Sequence, residues 1–140
     1  MDLSNDPGFL IAKLAHAMSN ELDSKLRTYG ITFSQWTLLR HVWEQEGRSQ
    51  VELQALLNLE AATITGLLQR MTNQGWVSRR PDPANKRVQR VYLTERGRAL
   101  EQVTAPLMEV DEQAFRGFNA DERDFFLRLL RRALGNFEGR

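Results

Sequence analysis

The chain has 140 residues, 41% hydrophobic and 26% charged, and its 19 basic and 18 acidic side chains leave a formal net charge of +1. That length and balance fit one folded domain over residues 1–140 and exclude a disordered chain. The absence of Cys excludes a disulfide framework, a thiolate metal site, a cysteine nucleophile and a thiol redox sensor, while no apolar run approaches the ~18 residues of a membrane span and no basic-then-apolar leader begins the chain, so a cytoplasmic protein with no membrane partner is expected.

Leu10, Leu14, Met18, Leu22 and Leu26 recur every fourth residue and predict one long helix over residues 7–29, with Pro7 in its first turn and Gly30 at its end. Thr32 followed by Gln35 reads as a capping box, each side chain satisfying the other residue's backbone amide. The helix it opens is expected to bury Trp36, Leu39 and Trp43 and to stop at Gly47. Ser49 and Glu52 repeat the box at the head of a short third helix. Its inward residues are expected to be Val51, Leu53, Leu56 and Leu57, with a break at Asn58-Leu59. A fourth helix carries Ile64, Leu67, Leu68 and Met71 on one face, and Gly75 is placed for the left-handed conformation that ends it.

The only strand-like stretch follows. Residues 76–80 and 88–94 are β-prone runs, and Pro81-Asp82-Pro83-Ala84-Asn85 between them supplies turn chemistry, so the segment reads as a hairpin with a basic, proline-stiffened tip. Thr94 then caps a helix with Leu100, Val103, Leu107, Val110, Ala114 and Phe115 along one stripe. Pro106 in its middle, lacking an amide donor, is expected to kink it. Asn119 with Glu122 opens a last helix that turns Phe126, Leu129, Leu130 and Ala133 inward.

Charge is unevenly spread along this order. Residues 79–98 hold seven basic side chains against Asp82 and Glu95, whereas the rest of the chain holds 12 basic and 16 acidic ones. A basic segment in an otherwise acidic chain suits an anionic partner met at one place, and nucleic acid is the usual one. A short helix, a tight turn, a second helix and a basic hairpin is also the order of a winged helix-turn-helix, whose second helix enters the major groove. The fourth helix has a face fit for that. Ala62, Thr63, Thr65, Gly66, Gln69 and Asn73 lie opposite its apolar side with Arg70 flanking, and no acidic residue occurs from 61 to 74. Small residues allow close approach, and Thr, Gln, Asn and Arg hydrogen-bond bases or phosphates. An ordinary surface helix would be richer in Lys and Glu.

The runs Leu67-Leu68-Gln69-Arg70-Met71, Gly75-Trp76-Val77-Ser78-Arg79, Asn85-Lys86-Arg87 and Val91-Tyr92-Leu93-Thr94-Glu95-Arg96-Gly97-Arg98 resemble the multiple antibiotic resistance regulator (MarR) family. The likeness covers essentially the whole chain, including Gly30-Ile31-Thr32-Phe33-Ser34-Gln35-Trp36, and its most specific part is the hairpin followed by Leu-Thr-x-x-Gly. It implies a mainly α fold with a small β-hairpin wing, a winged helix-turn-helix lobe over residues 31–98, and dimerisation helices over 7–29 and 99–137. The same resemblance implies a homodimeric transcription regulator, here expected to be a repressor, binding double-stranded DNA at a near-palindromic operator and released by a small aromatic or phenolic effector. Residue by residue, it matches Arg87 to the wing arginine that enters the minor groove. Asn85 stands where the family usually has an acid, and Lys86 and Arg90 are expected as phosphate neighbours. A dimer also has an elementary rationale, since the apolar stripes of the first and C-terminal helices flank the winged unit without obviously belonging to its core, and a two-fold dimer matches two half-sites about one DNA turn apart.

His16, Trp36 and His41 are the candidate effector-pocket residues, although each also suits an ordinary helix or core position. No cluster supplies a metal site or a cofactor-binding loop, and with no paired histidines and no nucleophile elbow the chain is not expected to be an enzyme. The competing class is a winged-helix module that docks a protein instead of DNA. Its unpaired positive charge argues against it, and salt dependence separates the two.

Overall fold

Residues 2–139 are described by a computed structural model, in which Asp6 opens the first long helix by accepting the Phe9 amide at 2.8 Å. This helix, α1 (Pro7–Leu26), contains the whole apolar stripe and stops three residues short of the expected span of 7–29. A 3₁₀ turn, Arg27–Tyr29, completes the stretch and Gly30 leaves it at φ 69°. Only Leu22 and Leu26 of the stripe are buried, and Leu10 and Leu14 remain exposed.

The Thr32–Gln35 capping box forms in full and starts α2 (Phe33–Glu44). Trp36 and Leu39 point inward as expected, joined by Leu38 and Val42, while Trp43 is half-buried. The Ser49 box forms only by half: Ser49 Oγ accepts the Glu52 amide at 3.1 Å, but the Glu52 carboxylate sits in the field of the Arg90 guanidinium. The helix it opens, α3 (Gln50–Leu57), buries Leu53 alone. Helical geometry accounts for the correction. Leu57 shares the face of Leu53 and is half-buried, but Val51 lies about 200° around the axis and Leu56 falls at the edge, so both face outward.

Asn58 adopts φ 54°, a left-handed conformation that Asn tolerates better than most residues, and the chain turns within three residues into α4 (Ala61–Asn73). Ile64, Leu67, Leu68 and Met71 are all buried, against α2, α3 and the start of the hairpin. Each such side chain contributes roughly 1.5–3 kcal/mol through removal from water, which fixes the rotation of α4 about its own axis. Gly75 follows the helix at φ 77°.

The hairpin pairs β1 (Val77–Pro81) with β2 (Gln89–Leu93) antiparallel, from Val77 opposite Leu93 to Pro81 opposite Gln89. Residues 47–49 lie along its other edge. The Gly47 amide donates to the Val91 carbonyl, the Val91 amide to the Arg48 carbonyl, and Ser49 bridges to Arg90. Thr94 then caps α5 (Glu95–Thr104), accepting the Gly97 amide at 3.1 Å. Gly97 is buried against the hairpin base, where any Cβ would overlap the Trp76 carbonyl oxygen, and its own carbonyl accepts the Trp43 indole N–H at 2.9 Å.

Pro106 interrupts the helix more fully than a kink: α5 ends at Thr104 and a 3₁₀ stretch, Ala105–Met108, precedes α6 (Glu109–Ala114). Along the predicted stripe Leu107 and Val110 are buried, Leu100, Ala114 and Phe115 half-buried and Val103 exposed. The chain divides after Leu107 into two compact units. In the second, α7 (Ala120–Gly135) begins with the expected Asn119–Glu122 capping box. Phe115, Phe118 and Phe126 pack edge to face with centroids 5.4–6.0 Å apart, and Arg123 covers Phe115 while pairing with Glu112 at 2.8 Å. The inward face predicted for α7 is not enclosed within one chain. Phe126 is half-buried, but Leu129, Leu130 and Ala133 are exposed, as are Phe125 and Leu134.

Candidate nucleic-acid interface

With its apolar side sealed, α4 turns Ala62, Thr63, Thr65, Gln69, Arg70 and Asn73 to solvent and leaves Gly66 half-buried. Glu60 occupies the position before the first turn, but its side chain accepts no bond there, so the first-turn amides and the positive end of the helix dipole face outward uncapped. Such a terminus suits a phosphate. Two of the polar side chains are already oriented from within the lobe. Thr65 Oγ1 donates to the Ala61 carbonyl and accepts from Gln50 Nε2, both at 2.9 Å. Gln69 Nε2 donates to Asn73 Oδ1 at 3.0 Å, and Gln69 Oε1 accepts from Arg79 Nη2 on β1 at 2.8 Å. Neither Gln50 nor Arg79 stands out in the sequence as part of this face, although Arg79 belongs to the basic run.

The wing is a self-braced loop. The Asp82 amide donates to the Val88 carbonyl, the Val88 amide to that of Asn85, and the Asn85 side chain accepts the Arg87 amide at 3.2 Å. Asn85 therefore supplies a turn acceptor without a charge. The charge comes from Asp82, whose Oδ1 accepts the Ala84 amide and whose Oδ2 accepts Arg90 Nε, both at 2.7 Å. The Arg90 hydrogen bond first, and the Ala84 amide second, hold the Asp82 carboxyl below the ordinary aspartate range. Arg90 is correspondingly raised, chiefly by the Asp82 hydrogen bond. Its Nη1 also donates to the Gly47 carbonyl at 2.8 Å. Arg90, expected as a phosphate neighbour, ties the wing to the body of the lobe through Nε and one Nη1 hydrogen, which leaves three of its five N–H donors for another acceptor. Lys86 and Arg87 stand exposed at the tip. At the wing's base, Glu46 accepts the Leu93 amide at 2.8 Å and pairs with Arg98. That amide, more than the Arg98 pair, depresses its carboxyl.

The three candidate effector residues have different surroundings. Trp36 is buried, its indole N–H donating to Thr104 Oγ1 at 3.2 Å and its ring covered by Arg40 at 4.6 Å. That is a satisfied core tryptophan. His16 lies on the exposed side of α1, 3.0 Å from Asn20 Nδ2. His41 lines an open groove of about 320 Å³ with Thr37, Arg40 and Glu44, its Nδ1 2.8 Å from the Thr37 carbonyl. Among the described residues, no group of three or more His, Asp or Glu is placed to hold a metal ion, and no helix is long and apolar enough to cross a membrane.

The family model that matches this chain is that of the MarR family, over residues 31–88. The transcriptional regulator HosA of Escherichia coli is 31% identical over 105 residues, which is 74% of this chain and 78% of HosA. A further curated regulator is 35% identical, but the aligned stretch spans only 47% of its length. Among solved structures, a MarR variant from E. coli in complex with operator DNA superposes with a TM-score of 0.85 at 28% identity, covering 96% of this chain and 99% of that one. BpsR of Bordetella bronchiseptica, whose DNA binding is regulated by 6-hydroxynicotinic acid, gives 0.85 at 25% identity and covers 95% and 96%.

Proposed function

The chain belongs to the MarR family of transcription regulators, and from that premise we propose that it represses transcription by binding a near-palindromic operator as a homodimer. In each protomer α4 enters the major groove through Ala62, Thr63, Thr65, Gly66, Gln69, Arg70 and Asn73. Arg87 reaches the minor groove, and Lys86 lies on the backbone beside it. Residues 31–98 form the reading lobe, and 7–29 and 99–137 hold the two copies together through the apolar side chains that a single chain leaves exposed. The observation that carries this reading is the acid-free, outward face of α4 beside a basic wing braced by Asp82 and Arg90.

BpsR supports a second element: a small aromatic acid binds this protein and releases its DNA by favouring a spacing of the two lobes that no longer fits the half-sites. Selecting bound fragments from random and genomic DNA, at low and moderate salt, tests the whole reading. A two-fold-symmetric site whose affinity falls steeply as salt rises is expected, through release of counterions. No enrichment at either salt would remove sequence-specific recognition. Adding aromatic acids to the recovered complex then tests release.

A further inference from the structure

Gln69 is not free to choose its hydrogen bonds. Arg79 Nη2 reaches across from β1 to Gln69 Oε1 at 2.8 Å, and Gln69 Nε2 donates onward to Asn73 Oδ1 at 3.0 Å. The chain runs one way, from guanidinium to carbonyl and from amide N–H to carbonyl, so both side-chain carbonyls on this part of α4 serve as acceptors inside the protein. What faces outward is amide hydrogen and the positive field of Arg79. An adenine edge is read by Gln through a simultaneous N–H to N7 and a carbonyl accepting from N6, and a carbonyl held by a cation at 2.8 Å is a poor acceptor for that second bond. A guanine edge offers only acceptors, N7 and O6, and matches a donor cluster.

We propose that Arg79 is a specificity-determining positioning residue: it holds Gln69 and Asn73 as hydrogen-bond donors and so tunes α4 to guanine at one position of each half-site. This rests on the groove-reading role of α4 proposed above. Arg79 acts through Gln69, and its effect is therefore on which base is preferred, a property that a backbone contact does not alter.

The test compares the full-length wild type with Arg79→Met and Gln69→Ala in the same selection, followed by titration of single-base operator variants at two salt concentrations. For the wild type, guanine is expected at one position per half-site. Gln69→Ala, on an exposed helix face, is expected to erase that preference, and Arg79→Met to lower guanine over adenine at the same position by roughly tenfold. Uniformly weaker binding to all sequences by Arg79→Met, with a salt slope smaller by about one and the base preference intact, would overturn the proposal and leave Arg79 a phosphate contact. A symmetric site indifferent to both substitutions would overturn it as well while sparing the operator reading. Only the failure of the wild type to recover any symmetric site would bring down both.

Discussion

Arg90 and Asp82 close on each other across the wing, Nε to Oδ2 at 2.7 Å, and the same guanidinium reaches the Gly47 carbonyl with Nη1 at 2.8 Å. One side chain thus joins the wing's turn, β2 and the strand-like segment before α3. Asp82→Ala or Arg90→Leu is expected to lower operator affinity roughly three- to tenfold, because the freed wing must be ordered again on binding. The salt slope should stay at the wild-type value. A slope reduced by about one in Arg90→Leu would show that Arg90 touches phosphate after all.

The Asp82 clamp also has a pH signature. Its carboxyl is held below the ordinary aspartate range by Arg90 and by the Ala84 amide. A carboxylate with a depressed folded-state pKa gives its full stabilisation above the unfolded-state value and loses it as pH falls through the folded one. The wing is expected to remain clamped throughout the neutral and mildly acidic range and to open only below the pH at which ordinary aspartates protonate. Carbon-detected NMR titration of the Asp82 carboxyl reads this directly, and a midpoint at or above that of an ordinary aspartate would contradict the clamp.

Arg87 stands exposed at the wing tip, its amide fixed by Asn85. Arg87→Ala is expected to weaken operator binding and to lower the salt slope by about one, with preference for a narrow minor groove relaxed. Fluorescence anisotropy from 50 to 200 mM salt checks it. An isotherm and slope matching the wild type would take Arg87 out of the interface.

Within the core, the Trp36 indole N–H donates to the Thr104 hydroxyl, which itself donates to the Leu100 carbonyl at 2.7 Å. Thr104→Val keeps the shape and removes the acceptor, stranding a buried N–H. A loss of about 1–3 kcal/mol in urea denaturation is expected. Trp36→Phe should then cost less in the Thr104→Val background than alone, since the stranded donor is gone, and strict additivity would deny the bond.

Gly97 has no room for a methyl group. Gly97→Ala must push α5 away from the Trp76 carbonyl, at an expected cost of about 1–3 kcal/mol or more. A midpoint in urea unchanged from the wild type would show that the helix yields easily there.

The sequence carried the caps and the sealed faces well. Thr32–Gln35, Asn119–Glu122 and the Ile64–Met71 stripe are local rules of spacing, and the chain obeys them. Legibility failed where a residue answers to something distant. Val51 is apolar yet exposed because α3 makes barely two turns and commits its inner face to Leu53. Glu52 leaves its half of the Ser49 box unmade and lies instead in the field of Arg90, 38 positions on. Arg90 and Arg79 both read as members of one basic run. Only the hairpin register reveals that Arg90 braces the wing while Arg79 orders a side chain of α4. Charge counts say how much positive potential a segment has, and pairing decides where it is spent.

The first turn of α5 is pinned at three points: the Thr94 hydroxyl on the Gly97 amide, the Trp43 indole on the Gly97 carbonyl, and the bare Gly97 Cα against the Trp76 carbonyl. Rotating α5 about its long axis would break the Trp43 and Trp76 contacts together. At the other end Thr104 holds the Trp36 indole, so α5 is fastened to α2 at its first turn and at its last, and tipping it at either end breaks a tryptophan hydrogen bond.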